Sequence, residues 1–357
     1  VSAFDGTPVY CTREDVKRAL DSTETARNND QIDRLIDAAA RGIDDACARY
    51  FYPRATTLYW DWPTVQMGRS WRLWLDRDEL LSLTTLSSGG SVIPSSGYYL
   101  EPNRSGPPYS RIEIRLDGSY ALGLGSTPQR DVALTGVFGF TRATTAAGTL
   151  AGTITDSATS LNCSDAALIG VGDTLRIDSE YMQVTDRRML TTGQTGSLTA
   201  NANAVTLTVS DGTAFDVGEV LLLDSERVLV VDIAGDDLTV RRAWDGSVLA
   251  AHTAATIYAA RTLLVTRATL GTVAAAHNVD AVIYRHTPPS LVRQLNIAEA
   301  LTGLQNEGSA YQAVQQRSRQ IGARGSARNA QISVYPIDDL RERVLTAYGR
   351  KARLRVV

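Results

Sequence analysis

The residues of this chain with the most chemical promise come in pairs. Asp178-Ser179-Glu180 recurs as Asp224-Ser225-Glu226, and His252 and His277 stand at matching places further along. Paired carboxylates can hold a metal ion or share acid–base work, and a nearby histidine can carry a proton. Each acidic triplet, however, lies between two runs of alternating apolar residues, where a hairpin turn calls for short polar side chains. The turn is the favoured reading. The two histidines, repeated with the motif, are expected to make the same local hydrogen bond twice; His286 is the third histidine. Cys11, Cys47 and Cys163 lack CxxC spacing, so no zinc framework is expected, and so few cysteines fit a reducing cytoplasm. No GxSxG elbow, HExxH helix or Ser/His/Asp spacing is present. Gly118, Gly123 and Gly125 do not lead into the GK[ST] of a phosphate loop. The sequence therefore predicts no catalytic residue, no metal and no cofactor, and a protein that is not an enzyme.

These motifs belong to a larger repeat that must position them. Val171 to Glu180 is echoed by Val217 to Glu226, and each copy runs on into alternating apolar residues. A second element, Leu238 to Arg242 leading to Gly246 and Ala250-Ala251-His252, is echoed by Leu263 to Arg267 leading to Gly271 and Ala275-Ala276-His277. The halves come in the order first, first, second, second. The simplest parse is one small β-domain, about 155–190 plus 261–286, with a second copy at about 205–258 inserted into it. Two copies are too few for a solenoid, so small all-β modules are expected.

Composition marks the borders of this insert. All 11 prolines lie at or before Pro128 or at or after Pro288. Residues 151–286 carry a net charge of −7, residues 287–357 a net +6, and the whole chain −3. A generally basic nucleic-acid coat is thereby excluded. With 43% hydrophobic and 21% charged residues the chain is an ordinary globular one, long enough for two or three domains. No apolar run reaches the ~18 residues of a membrane span, and Val1 to Tyr10 lacks the pattern of a signal peptide. The expected domains are 1–145, a core of helices plus a β-region; 146–286, an inserted all-β domain; and 287–357, helices and a basic tail.

In the first flank, Thr12 should cap a short helix with Asp15 at the capping-box position. A second helix is expected from Asn29 or Asp30 to about Phe51, stopped by Pro53. Its apolar stripe runs through Ile32, Leu35, Ile36, Ala39, Ile43, Ala46, Cys47 and Tyr50. Candidate strands follow at Leu58–Trp62, Trp71–Leu75, Leu83–Leu86, Tyr98–Glu101, Ile112–Leu116 and Val132–Phe138. Trp60, Trp62, Trp71 and Trp74 read better as core or interface than as a ligand platform. After Pro288-Pro289 a helix is expected through Leu291, Leu295, Ala298 and Leu301, then a polar loop at 306–330, a short strand at Ile332–Tyr335 and a last helix capped by Asp338. The fold class predicted is α+β: a helical core with a small β-region, plus an inserted all-β domain of two nested repeats.

Read together, the flanks resemble the head-to-tail connector (adaptor) proteins of long-tailed bacteriophages. The cues are Asp30-Gln31-Ile32-Asp33-Arg34-Leu35-Ile36-Asp37-Ala38-Ala39 leading to Arg49-Tyr50-Phe51, then Tyr98-Tyr99-Leu100-Glu101, Arg111-Ile112-Glu113-Ile114, and Val132-Ala133-Leu134-Thr135-Gly136-Val137-Phe138-Gly139-Phe140. In the family that last strand soon meets a proline and a helix; here the insert intervenes. The resemblance implies a virion structural protein forming a ring, usually of twelve subunits, at the capsid–tail neck after assembly in the host cytoplasm. It would join the portal protein to a head-completion, stopper or tail-terminator protein. Double-stranded DNA would pass through its channel without sequence specificity, and no membrane is involved. Subunits would pack through the helix carrying Ile32, Leu35, Ile36, Ile43 and Tyr50. The C-terminal tail, with Arg350, Lys351, Arg353, Leu354, Arg355 and Val356, would dock on the portal, with contact to DNA as the competing reading. The insert is expected on the outside of the ring. A tail-associated carbohydrate-binding β-module protein is the alternative.

Overall fold

The computed structural model describes residues 4–20, 29–63, 68–319 and 335–350, giving the backbone alone for 308–319, 335 and 336. The chain opens with helix α1 (Arg13–Ala19), where Thr12 and Asp15 form the reciprocal capping box. Helix α2 (Asn29–Cys47) follows and buries Ile32, Ile36, Ala40 and Ile43 along one stripe. It stops at Cys47, because Ala48 turns left-handed at φ 50°, so Tyr50 lies beyond the helix and is half-buried.

Seven strands come next: β1 (Arg54–Trp60), β2 (Arg72–Trp74), β3 (Leu80–Ser88), β4 (Ser91–Ile93), β5 (Tyr98–Glu101), β6 (Arg111–Ile114) and β7 (Val132–Phe138). They form two antiparallel sheets, ordered β1-β7-β3-β4 and β2-β6-β5. Alternation decides what each strand buries. In β7, Val132, Leu134, Gly136 and Phe138 point inward, and a side chain on Gly136 would strike the Ser82 carbonyl oxygen. Leu73, Leu86, Ile112, Ile114 and Leu134 close the core between the sheets.

Ten strands build the third sheet: β8 (Thr144–Thr149), β9 (Ser160–Asn162), β10 (Thr174–Ile177), β11 (Glu180–Leu198), β12 (Thr206–Thr208), β13 (Val220–Leu223), β14 (Glu226–Ala234), β15 (Asp237–Arg241), β16 (His252–Thr269) and β17 (Val282–His286). The spine is the antiparallel pair β11 and β16, matched from Tyr181↔Thr269 to Leu198↔His252. Register shifts between Arg188 and Leu190 and between Thr191 and Thr195 bend the pair at mid-length. Each long strand thus serves two modules with separate cores. Leu161, Leu175, Ile177, Met182, Val184, Leu263 and Ile283 fill one. Leu207, Leu221, Leu223, Val228, Val230, Val240 and Ile257 fill the other. In the first module β9 pairs with β16, and a bridge between Leu150 and Cys163 brings it back beside β8, closing the ring of strands. The repeat reaches further upstream than the motifs alone imply, since Ser160-Leu161-Asn162 and Thr206-Leu207-Thr208 are both strands at the same offset of 46 residues.

The ends of this insert meet, Thr144 pairing with His286 and Thr145 with Arg285. Helix α3 (Ser290–Arg319) and helix α4 (Tyr335–Tyr348) then return to α1 and α2. Val16, Ile32, Ile36 and Ile43 pack with Val292, Leu295, Ile337 and Val344, and Gly303 leaves room for the half-buried Leu35. Asn296 pins the assembly, its side-chain amide donating to the Ile36 carbonyl and accepting from the Tyr10 backbone N–H, each at 3.0 Å. The insert touches this unit along a seam: Val171 joins the helical core, the Arg13 backbone N–H bonds the Val171 carbonyl, and Lys17 pairs with Asp245 at 2.5 Å.

The expected fold class needs correction. The protein is mostly β-sheet, 39% strand against 21% helix, with three antiparallel sheets rather than a helical core to which small β-parts are added. The stripe in α2 is conspicuous in sequence, but long strands such as β11 and β16 are bent and two-sided and carry no comparable period. Smaller corrections follow the same logic. Residues 306–319, expected as loop, continue α3. Tyr335, expected to end a strand, opens α4 with Asp338 inside its first turn, while 332–334 lie outside the described residues.

Ile36 is fully buried where three helices meet. Ile36→Asp should cost roughly 3–5 kcal/mol, because it buries an unpaired carboxylate. Urea denaturation followed by circular dichroism measures the loss; an unchanged midpoint would remove Ile36 from the core.

Candidate functional site

The repeated acidic and histidine motifs come together, twice, in one geometry. Asp178 and Asp224 occupy the β10–β11 and β13–β14 turns in left-handed conformations, φ 50° and 48°, which aspartate tolerates. The glutamate that follows in each motif starts the return strand and is wholly buried. Arg267 grips Glu180 with two hydrogen bonds of 2.6 Å, and the backbone amides of Ala268 and Ala275 donate to the same carboxylate at 3.1 and 3.0 Å. In the second module Arg242 grips Glu226 at 2.7 and 2.8 Å, with Ala243 and Ala250 both at 2.9 Å. His277 spans Glu180 at 2.9 Å through Nε2 and Asp178 at 2.7 Å through Nδ1. His252 repeats this with Glu226 at 3.0 Å and Asp224 at 2.7 Å. Carboxylates only accept, so both ring nitrogens donate when the ring carries two protons.

Burial opposes ionisation of Glu180 and Glu226, but the arginine, histidine and backbone donors outweigh it and hold both carboxyl groups at about 2. The arrangement closes a hairpin against the end of a neighbouring strand and the loop after it. Its layout is the reverse of a nucleophilic triad, with the imidazole buried and the aspartate side chains more than half exposed. The two acids reach opposite ring nitrogens and do not converge on a point. Among the described residues no group of three or more His, Cys, Asp or Glu is placed to hold a metal ion. The two histidines make the same pair of local hydrogen bonds in each module, and Arg242 and Arg267 are partners that the repeated acids and histidines alone do not reveal. Their signal was present, since each stands ten residues before its histidine. His286 has a different role: its Nε2 bonds the Phe51 carbonyl at 3.0 Å, and burial pushes it down to about 4.

The tryptophans do not form a bare platform. Trp62 is in the core. Arg72 lies over both Trp71 and Trp74, at 4.7 and 5.6 Å from the ring centres, and Arg111 over Trp74 at 5.1 Å. Those faces are the ones a sugar ring would need.

The remaining candidates lie on the helices. Ile32, Ile36 and Ile43 are core, and Leu35 borders an apolar groove of about 430 Å³ between α2, α3 and α4. Ala38, Ala39, Gly42 and Ala46 form its floor, with Leu295, Val344 and Leu345 opposite. Of the proposed portal-docking residues only Arg350 is described; Lys351, Arg353, Leu354, Arg355 and Val356 lie outside the described residues. The Arg350 amide donates to the Cys47 carbonyl at 3.1 Å, at the end of α2. Its charge acts with that of Arg49 on Glu79, whose carboxyl burial pushes up and the two arginines pull back down.

Comparison with family models, curated proteins and solved structures finds no match.

The braces predict a specific acid response. A carboxyl held below its unfolded value of about 4.3 contributes stability that is present above that pH and lost as pH falls towards 2. Glu180→Gln with Glu226→Gln should be less stable than the parent at pH 7, since two buried arginines lose their counter-charges. The gap between the two proteins should narrow between about pH 4 and pH 2. Denaturation curves across that range test it, and a gap that stays constant would mean the glutamates are not ionised in the fold.

Proposed function

We propose that this protein is a ring-forming structural component of a phage neck, joining a portal to a tail-side partner around a DNA channel. One observation carries the reading. The two flanks, separated by the whole insert, fold as one unit: β7 delivers the chain to β8, β17 returns it, and α3 and α4 close on α1 and α2. That is the continuity the adaptor resemblance requires of segments 1–145 and 287–357. The motifs with chemical potential are used up inside the β-modules, which favours an assembly role over an enzymatic one. The insert carries net −7, and phosphate repulsion suits a position away from the channel. The glycan-binding alternative is weaker, because arginines cover the aromatic faces of Trp71 and Trp74.

By the adaptor resemblance a closed ring is expected, which requires a heterologous contact whose repeated rotation closes; one that did not close would give an open filament. Light scattering and negative-stain images of the purified full chain should show rings, usually of twelve copies by resemblance. In fractionated virions the protein should stay with DNA-filled heads and necks. A strictly monomeric protein, absent from heads, would overturn the reading.

A further inference from the structure

The first sheet has two open sides. Among the described residues β1 and β4 are the end strands of the order β1-β7-β3-β4, and no further strand flanks either. We infer that β4 of one copy pairs with β1 of the next, so that this sheet runs on from subunit to subunit around the ring. The inference rests on the ring reading and names the contact that would build it.

Direction is the first argument. Every pairing in the sheet is antiparallel, so β1 and β4, at its two ends, run in opposite directions. Setting β4 beside β1 of a second copy related by rotation therefore continues the antiparallel pattern without a break. One edge meets a different edge, which is the heterologous kind of contact a ring needs.

The second is the free backbone. Ala55 points its N–H away from β7, to the Leu270 carbonyl at 2.8 Å. Strand alternation then turns the backbone groups of Thr57 and Tyr59 outward as well. Beside β4, Gly89 and Gly90 at φ 56° and 81° make a type I′ turn, which leaves Ser88 and Ser91 as the hydrogen-bonded pair that closes the hairpin. One residue on, Val92 therefore directs its N–H and carbonyl away from β3.

The third is register. Tyr59, Ala133, Ser87 and Val92 stand opposite one another in a single row across the sheet. The row ends in exposed apolar side chains, Tyr59 at 55% and Val92 at 63%, with small residues between them. Placing Val92 of one copy opposite Tyr59 of the next carries the row across the seam and matches the outward backbone groups. It also sets an aromatic against a β-branched side chain, a favourable cross-strand pair. The inward row of Leu58, Leu134, Leu86 and Ile93 continues beside it in the same register. Charge agrees, since Ala55 to Trp60 and Ser91 to Ile93 hold no charged residue and the seam desolvates no ion. Neither stretch has the proline or bulge that guards exposed edges. Pro94, without an N–H, limits the seam to the three residues of β4.

The full chain carrying Tyr59→Cys and Val92→Cys, treated with a short bis-maleimide linker, tests the pairing; Cys11, Cys47 and Cys163 are buried. Denaturing gels should show a ladder that climbs past two copies, while each single variant stays at one copy. Negative-stain images of the same samples keep the two readings apart. Rings without a ladder would overturn the edge contact and leave the ring standing. A ladder that stops at two copies, or linkage by Tyr59→Cys alone, would replace the contact with a two-fold pair. Protein that stays monomeric throughout would bring down the ring reading and the contact together. Val92→Lys is the second check, because it places a charge on the edge at an exposed position. Rings should be lost with an unchanged circular dichroism spectrum, and rings that persist would refute the pairing.

Discussion

The pairing of β11 with β16 is the constraint on which the insert depends. Strands of nineteen and eighteen residues exceed what one small module can use. Bent at mid-length, they form the outer copy at one end and the inner copy at the other. The nested order of the repeat in sequence is a direct result. A second module can be threaded into the first only where two neighbouring strands both leave it, and here they leave together, still hydrogen-bonded.

The buried braces solve a problem that this arrangement creates. Each module is small, and its hairpin turn sits at the rim, where apolar burial is scarce. A carboxylate gripped by an arginine, an imidazole and two backbone amides ties the turn to the strand end and to the loop that follows. Such a cluster adds little net stability over apolar packing, yet it is unforgiving of a shifted register, because any slip leaves a charge buried without its partner. Arg242 and Arg267 also collect loop carbonyls, those of Ala204 and Ala250 in one module and of Thr155 and Ala158 in the other.

Legibility in the sequence followed physical scale. The capping box at Thr12, the stripe of α2 and the strand at Val132–Phe138 depend on neighbours within a few residues, and each could be read directly. The nested repeat was legible for the same reason, since identical short motifs impose identical turns. What could not be read was set at a distance. The end of α2 depends on a left-handed Ala48, a residue with no turn preference. The continuation of α3 through polar residues 306–319 has no apolar stripe to announce it. The balance of strand over helix emerged only when β11 and β16 ran on through both modules. In the braces, the acids and histidines were visible as a repeat, but their arginines were hidden because the partner lies 87 residues away in one copy and 16 in the other.

The nesting also orders the birth of the fold on the ribosome. The inner copy is nearly continuous in sequence and can complete itself soon after residue 258 is made. The outer copy holds its first strands open until β16 and β17 arrive. The helical unit waits longest, because α2 cannot bury Ile36 and Ile43 until α3 and α4 have been synthesised, about 250 and 300 residues later. Maturation therefore proceeds from the inside of the chain outward, and the nascent protein carries an uncovered apolar helix for most of its synthesis. That interval is when premature association through the bare helix is hardest to avoid.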